Sequence, residues 1–482
     1  MHFPLLRLFV RVLWIKLCSM WESWTHPRWC ESLSSHDLHV RAVQRAVKEG
    51  ELARKQISLK RSNSKTHCTR QQSYKTGCHL VDASKLNGVI SVNQDEMTVD
   101  LEPMCRMDVI SVILQEFGCT LPVTPEFRGI TIGGTIAGGG LESSAFRYGM
   151  VQQSVVEFDI VLGDGSLVTA SPTHHPDLFY GTMFALGTTG IVVRIRSKIV
   201  KTKPWVHLRY TYFDNRNEYV AAMTEACRNP HPNIDFLEGV ELTKDCAVLI
   251  TGVQCDASPS GVKHYQNCLW FNQWFIQHLE EKPQEAVMCL TDYLFRWDRG
   301  IYWNARRKIN PTLLNRILFG WLFDMETSHA ASRLKTDHSN EETRILTDVG
   351  PALECLKSMM DYNEEHVHVY PVWHLPFRLF PNEHHIYSCE AVVQDEFCVD
   401  YGIYGQPKHS DGRLMAFDCV ATNKAIEKHV HQHCKGMKGF ETVCYYTKDE
   451  FWNIFDVDKY DKLRRKYHAE SAFPTVLSKL VS

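Results

Sequence analysis

Apolar residues at Leu38, Val40, Val43, Ala46 and Val47 fall on one face at helical spacing, which predicts a helix over Asp37 to Arg54. Short apolar runs separated by turn residues follow. Cys78 to Asp82, Val89 to Val92 and Met97 to Leu101 read as strands, with Asn93 to Glu96 as a turn. Met107 to Phe117 returns to helical spacing, and Gly118 can stop it. Val156 to Leu162 and Leu167 to Ala170 flank Gly163-Asp-Gly-Ser166, a hairpin signal, and Ile191 to Val200 is a β-branched run.

From Trp205 the texture changes. His207 to Phe213 and Ala247 to Val253 predict strands, with a helix from Glu218 to Cys227 between them. Tyr265 to Phe323, rich in Trp, Phe and Leu, reads as largely helical, and Glu341 to Met360 as a further helix. His366 to Trp373 and Phe397 to Tyr404 read as strands. The end is helical over Asn423 to Cys434, Lys448 to Phe455 and Lys459 to Tyr467. The expected class is α+β, in four parts: an N-terminal segment 1–36, a many-stranded unit 37–203, a second α+β unit 204–410 and a helical segment 411–482.

A chain of 482 residues that is 44% hydrophobic can build more than one core. A net charge of −3 offers no strong positive field, which argues against nucleic acid as a partner. The 17 cysteines lack disulfide-scaffold or zinc spacing and read mostly as reduced thiols facing a cytosolic environment. Met1 to Trp21 is apolar, is interrupted by Arg7, Arg11 and Lys16, and carries no acid before Glu22. It is neither a clean membrane span nor a signal peptide. Trp14 and Trp21 among scattered bases suit an interfacial anchor, with a mitochondrial targeting segment or a disordered start as the alternatives.

The chemistry concentrates between Gly129 and Gly149. Gly133, Gly134, Gly138, Gly139 and Gly140 let main chain approach a ligand, and successive N–H groups can cradle phosphate oxygens. Glu142, Ser143 and Ser144 put polar side chains beside them. The spacing matches neither a P-loop nor a Rossmann fingerprint. The plain alternative is a glycine-rich structural turn. Lys60 to Lys75, with Arg61 and Lys75 among its bases, reads as a solvated or a phosphate-facing loop.

Leu80–Ile90 with Val99–Pro103, Leu121–Glu126 leading into Ile130–Gly134, Val161–Gly165, Asp177–Tyr180 and Gly187–Val192 resemble the vanillyl-alcohol oxidase/p-cresol methylhydroxylase flavoproteins. Gly140–Ser144 with Tyr148-Gly149, Leu318–Trp321, Val369–Trp373, Asp400–Gly405 and Phe451–Asp456 are similar to their delta-24 sterol reductase branch. The resemblance implies an FAD-binding domain of the p-cresol methylhydroxylase type, an α+β substrate cap and a helical C-terminal segment. It implies FAD bound by Thr131, Ile132, Gly133, Gly134, Thr135, Ile136, Ala137, Gly138, Gly139, Gly140, Leu141, Glu142, Ser143 and Ser144, and by Gly187, Thr188, Gly190, Ile191 and Val192. Three departures stand out. The first pyrophosphate loop corresponds to Ser62–Arg70, which lacks glycine; no histidine lies within Gly133 to Gly149, where many relatives tether flavin covalently; and the N-terminal segment is shorter and more basic than an animal sterol reductase anchor. Noncovalent FAD is therefore expected.

The implied reaction is reduction of a side-chain Δ24 double bond of a sterol, with NADPH as electron source, at an endoplasmic reticulum membrane facing the cytosol; mitochondrion or cytosol are the alternatives. An isolated alkene must be protonated at one carbon and receive hydride at the other, which needs a buried, neutral acid. Glu142 and Tyr404 are the candidate catalytic residues, followed by Tyr370 and Tyr401. The alternative for Glu142 is hydrogen bonding to backbone or flavin. The alternative activity is an FAD oxidase or dehydrogenase of an alcohol, hydroxy acid or sugar. His429, His431 and His433 share too few ligand positions for a structural zinc site, and no metal is expected.

Overall fold

The computed structural model describes residues 29–61, 72–332, 344–387, 389–409 and 411–480, together with Trp14. Most of the N-terminal segment, and the stretch Ser62–Arg70 read as a first phosphate loop, lie outside the described residues. The helix Leu33–Leu52 is capped by the Ser32 side chain and buries Val40, Val43 and Val47. That face covers a parallel pair, β1 (Ile57–Leu59) and β2 (His79–Val81).

β3 (Val89–Asn93), β4 (Thr98–Leu101), β6 (Val155–Val161), β7 (Leu167–Ala170) and β8 (Ile191–Lys198) form an antiparallel sheet of order β3-β4-β8-β6-β7. β5 (Cys119–Thr120) and β9 (Val200–Lys201) pair beside it. Its polar face is ordered by Arg194, which reaches Asp100 on β4 at 2.7 Å and Glu157 and Asp159 on β6 at 2.8 and 2.6 Å. One guanidinium shared by three carboxylates holds three strands in register.

The chain then crosses into a larger antiparallel sheet. Its strands are β10 (Trp205–Phe213), β11 (Phe236–Thr243), β12 (Cys246–Cys255), β13 (Glu285–Cys289), β14 (Ile345–Gly350), β15 (Val372–Arg378), β16 (Phe397–Gly405) and β17 (Met437–Lys438). The order is β13-β10-β12-β11-β15-β16-β14-β17. The central strands β11, β15 and β16 are buried almost throughout, so they lack the in–out alternation of a half-exposed strand. Leu237, Val372, Tyr401 and Ile403 pack on one face with the helices Arg216–Arg228, Leu356–Tyr362 and Cys419–His433. Trp373, Leu375 and Tyr404 pack on the other with the first unit.

The strand expected over His366–Trp373 begins only at Val372, after a helical turn over Asn363–Val367. In addition, Glu285–Cys289 is a strand inside the stretch expected to be helical, Ile345–Gly350 is a strand where a helix was expected, and β11 carried no strand signal. Two-sided burial is the common reason: such strands show no alternation, and Glu238 and Glu241 within β11 are tolerated because arginines meet them. The final helices return to the first unit. Lys466 pairs with Asp177 at 2.6 Å, Ile57 donates its N–H to Ala472 O at 2.7 Å, and buried Arg464 binds the carbonyls of Ala469, Phe473 and Pro474.

Candidate active site

A cavity of about 290 Å³ lies between the two sheets. One wall is the glycine segment. It is not an open loop: Ile132–Gly138 winds as a short helix in which Thr135 donates its N–H to Thr131 O at 3.0 Å, while Gly133 donates outward to Pro103 O at 2.9 Å. Gly139 ends that helix at φ +117°, a conformation side-chain-bearing residues rarely adopt, and Gly134, Gly138 and Gly139 face the cavity. Thr131, Thr135, Ile136, Ala137, Gly140 and Leu141 also line it, as do Gly187, Gly190, Ile191 and Val192 from the second predicted element. Ile132, Glu142, Ser143, Ser144 and Thr188 stand behind that wall. Thr188 accepts from Tyr460 at 3.0 Å, and Ser144 donates to Pro122 O at 2.8 Å.

One end of the cavity is cationic. Arg61, Lys75 and Lys479 converge there, with Arg61 Nη1 3.3 Å from Thr131 Oγ1 and Lys479 Nζ 2.8 Å from Leu186 O. Burial, and then the charge of Arg61, pulls the Lys75 ammonium down to about 8. Arg61 and Lys75 belong to the basic loop singled out in the sequence; Lys479 carried no such signal.

The other end is aromatic and acidic. Tyr302 stacks on Tyr404 at 4.7 Å between centroids, with Trp373 5.2 Å from Tyr302. Strand alternation places Asp400, Gly402 and Tyr404 on the cavity face of β16 and Tyr401 on the opposite face. A Cβ on Gly402 would lie 2.5 Å from the Tyr404 hydroxyl, so only glycine lets that ring lie along the strand. Tyr404 donates to Asp348, and Tyr302 donates to Glu126 at 2.6 Å. Carboxylate oxygens of Asp348, Asp400 and Glu441 lie within 4.8 Å of one another. Burial, and then Asp348, Glu441 and Glu126, hold the Asp400 carboxyl well above the usual carboxylate range. Burial lifts Glu126 to about 8.

Of the two predicted catalytic residues, Tyr404 lines the cavity and Glu142 does not. Glu142 Oε1 accepts from Arg296 at 2.9 Å, and Oε2 accepts from Ser143 N at 2.6 Å. Arg296, fully buried, also reaches Glu238 at 2.7 Å, and the indoles of Trp297 and Trp373 donate to Glu238 at 3.2 and 2.8 Å. Burial pushes the Glu142 carboxyl up against the pull of Arg296. The cluster clamps the glycine segment to β11, aided by Leu237 N donating to Ser143 O at 2.7 Å. Tyr401 donates to Glu241 at 3.1 Å and Tyr370 to Glu364 at 2.6 Å, both away from the cavity. Among the histidines, His429 stacks on Tyr362 at 3.9 Å and lies 5.3 Å from His433. Glu126, Tyr302, Asp348 and Glu441 line the cavity without any site signal of their own in the sequence, and Asp400 stands out there only as part of a motif.

The glycine wall belongs to residues 39–171, which match the family model described as FAD binding domain, and the protein is an FAD-dependent oxidoreductase. The chain is 30% identical over 476 residues to the Delta(24)-sterol reductase of Homo sapiens, covering 92% of this chain and 86% of the relative. It is 28% identical over 432 residues to the Delta(24)-sterol reductase homologue of Caenorhabditis elegans (84% and 80%). It is 26% identical over 447 residues to the Delta(24)-sterol reductase of Pisum sativum (85% and 78%). The chain belongs to the Delta(24)-sterol reductase family. The residues present fit FAD: Arg61, Lys75 and Lys479 offer cations for a pyrophosphate, the glycine wall leaves room for close approach, and Tyr302, Trp373 and Tyr404 stand at the far end.

Proposed function

We propose that this protein reduces the side-chain Δ24 double bond of a sterol, with NADPH as the electron source and FAD bound noncovalently. The family relation carries the substrate class. A buried carboxyl beside the aromatic wall, raised toward its protonated form, supports a reductase, since an oxidase of alcohols needs a base there. In this reading residues 37–203 hold FAD, 204–410 cap the substrate and 411–482 close both units. FAD, when bound, supplies the hydride.

The chain's own contribution is the proton. Burial, and then the carboxyls of Asp348, Glu441 and Glu126, favour the protonated form of Asp400, which faces the cavity. A carboxyl is ordinarily a far stronger acid than a phenol, and burial and then Asp348 hold the Tyr404 phenol well above its ordinary value. Asp400 therefore protonates the less substituted alkene carbon, hydride adds to the other, two C–H bonds replace the π bond, and water returns the proton to Asp400. Positive charge developing on the alkene faces the π clouds of Tyr302 and Trp373 and the carboxylate of Asp348. Tyr404 orients Asp348 by donating to it. Glu142, with Arg296, positions the glycine segment. The lipid character of the substrate supports membrane association, at the endoplasmic reticulum facing the cytosol, with the N-terminal segment as one anchor. Among the described residues, no helix is long and apolar enough to cross a membrane.

The test supplies FAD-loaded protein with NADPH and a Δ24 sterol in lipid. The expected product has gained two hydrogens. Flavin that is bleached anaerobically by an alcohol or hydroxy acid, and not by NADPH, would overturn the proposal.

A further inference from the structure

The helix Leu313–Phe319 buries none of its residues, although most of them are apolar. Leu313, Leu314, Ile317, Leu318 and Phe319 are 41–64% exposed, and Trp270 beside them is 42% exposed. The grouping is built. The Trp270 indole donates to Ile317 O at 3.1 Å, and Arg316 Nε donates to Phe271 O at 3.0 Å, pinning loop and helix side by side. Thr312 caps the helix through Asn315 N. Scattered exposed leucines are ordinary on a protein surface, but a contiguous apolar patch held in place by its own hydrogen bonds marks an interaction surface.

Charge selects the partner. No acidic residue occurs between Asp256 and Glu280, or between Asp298 and Asp324, the two stretches that build the patch. They carry bases instead: Arg306 is paired with Glu280, Arg299 and Arg316 bind main-chain carbonyls, and Arg307 and Lys308 stand exposed just before the helix. Leucine, phenylalanine and tryptophan beside the exposed bases Arg307 and Lys308, with Glu280 held by Arg306 and Glu281 accepting from Gln273, complement an anionic lipid surface, where apolar side chains enter the acyl boundary and bases meet headgroups. The patch is also continuous with the active site. Tyr302 lines the cavity, Trp303 donates to Tyr404 O at 2.9 Å, and the same segment then runs to Leu313.

We propose that Trp270 and the Leu313–Phe319 helix dock this protein on an anionic phospholipid bilayer and aim the cavity's aromatic end at it, independently of the N-terminal segment. The assignment rests on the sterol reading for its purpose: a substrate dissolved in a bilayer is collected from that bilayer.

The test uses full-length, FAD-loaded protein and vesicles of phosphatidylcholine and phosphatidylserine carrying a photoreactive acyl chain. Peptides containing Trp270 and Leu313–Phe319 are expected to take the label. In the double variant Leu314→Glu, Ile317→Glu, labelling of those peptides is expected to fall about tenfold or more, from loss of two apolar insertions and repulsion by anionic lipid. FAD content and reduction of a micelle-borne sterol should be unchanged, because both side chains are exposed and neither lines the cavity. Label confined to other segments, or undiminished in the variant, overturns the proposal. So does patch-to-patch cross-linking in a lipid-free dimer, which would assign the surface to a second copy. Absence of sterol reduction by both proteins in micelles would defeat the sterol reading and leave the labelling result standing.

Discussion

Replacing Glu142 by glutamine separates a clamp from an acid. The carboxylate accepts one charged bond from Arg296 at 2.9 Å and bonds from the Ser143 main chain at 2.6 Å and the Ser143 hydroxyl. An amide can accept on only one side. Its NH2 must face either the Arg296 guanidinium or the Ser143 N–H, so one charge-assisted bond worth about 1.5–3 kcal/mol is lost. A buried donor is also left without an acceptor, at a further cost of about 1–3 kcal/mol. One relief opposes these losses: Arg296 then faces the single carboxylate of Glu238 rather than two. A net destabilisation of about 2–3 kcal/mol is expected, out of a total of about 5–15 kcal/mol for a folded protein. The denaturant midpoint of Glu142→Gln should therefore drop and FAD should dissociate more readily, because the clamp holds the glycine segment to β11. At saturating FAD, kcat for sterol reduction should stay within about twofold of the parent, since Glu142 does not line the cavity and a general acid contributes about 10²–10⁴-fold. A kcat loss of that size in a flavin-replete, stable variant would refute the clamp and restore Glu142 as the proton donor.

Asp400→Asn should retain FAD but lower kcat about a hundredfold or more, and the parent's kcat should decline with alkaline pH as Asp400 loses its proton; an Asn variant with parental kcat would move the acid elsewhere. Gly139→Val places a β-branched residue at φ +117° and should lose flavin while remaining soluble, as read by the protein-bound absorbance of the purified variant. Acid precipitation should release all yellow colour to the supernatant, because no histidine or cysteine lines the cavity among the described residues. Stability should also depend on pH. Burial raises Glu126 and Glu241 to about 8 and Glu427 to about 7, so the folded state keeps protons that the unfolded chain releases above 4.5. Each contributes stability that is full below pH 4.5 and falls by about 1.4 kcal/mol per pH unit up to its folded value. Burial lowers His278 and His385 to about 4 and His374 to about 3, so their contributions rise with pH up to 6.5 and oppose the carboxyls. Urea melts should therefore change little between pH 5 and 6.5 and weaken from 6.5 to 8; a midpoint that rises over the upper interval would contradict these assignments.

The sequence by itself determined the first unit closely. The helix face at Val40, Val43 and Val47, the strands around Val89 and Thr98 and the hairpin at Gly163–Ser166 are local features: apolar spacing, turn residues and glycine stops act within a few positions. It also located the glycine wall, because close main-chain approach to a ligand is written in residue type. Only the tertiary structure decided the rest. β11 and β14 are covered on both faces or set in a crowded sheet, and such strands lose the period that reveals them. Glu142 stands next to the glycines in the chain, yet its partner Arg296 lies 154 residues away, and that pairing turns it from the cavity. Asp348, Asp400 and Glu441 come from β14, from β16 and from beyond β17; no local pattern joins them. What raises the Asp400 carboxyl is burial beside the carboxyls of Asp348, Glu441 and Glu126, a property of distances across the fold and not of position in the chain.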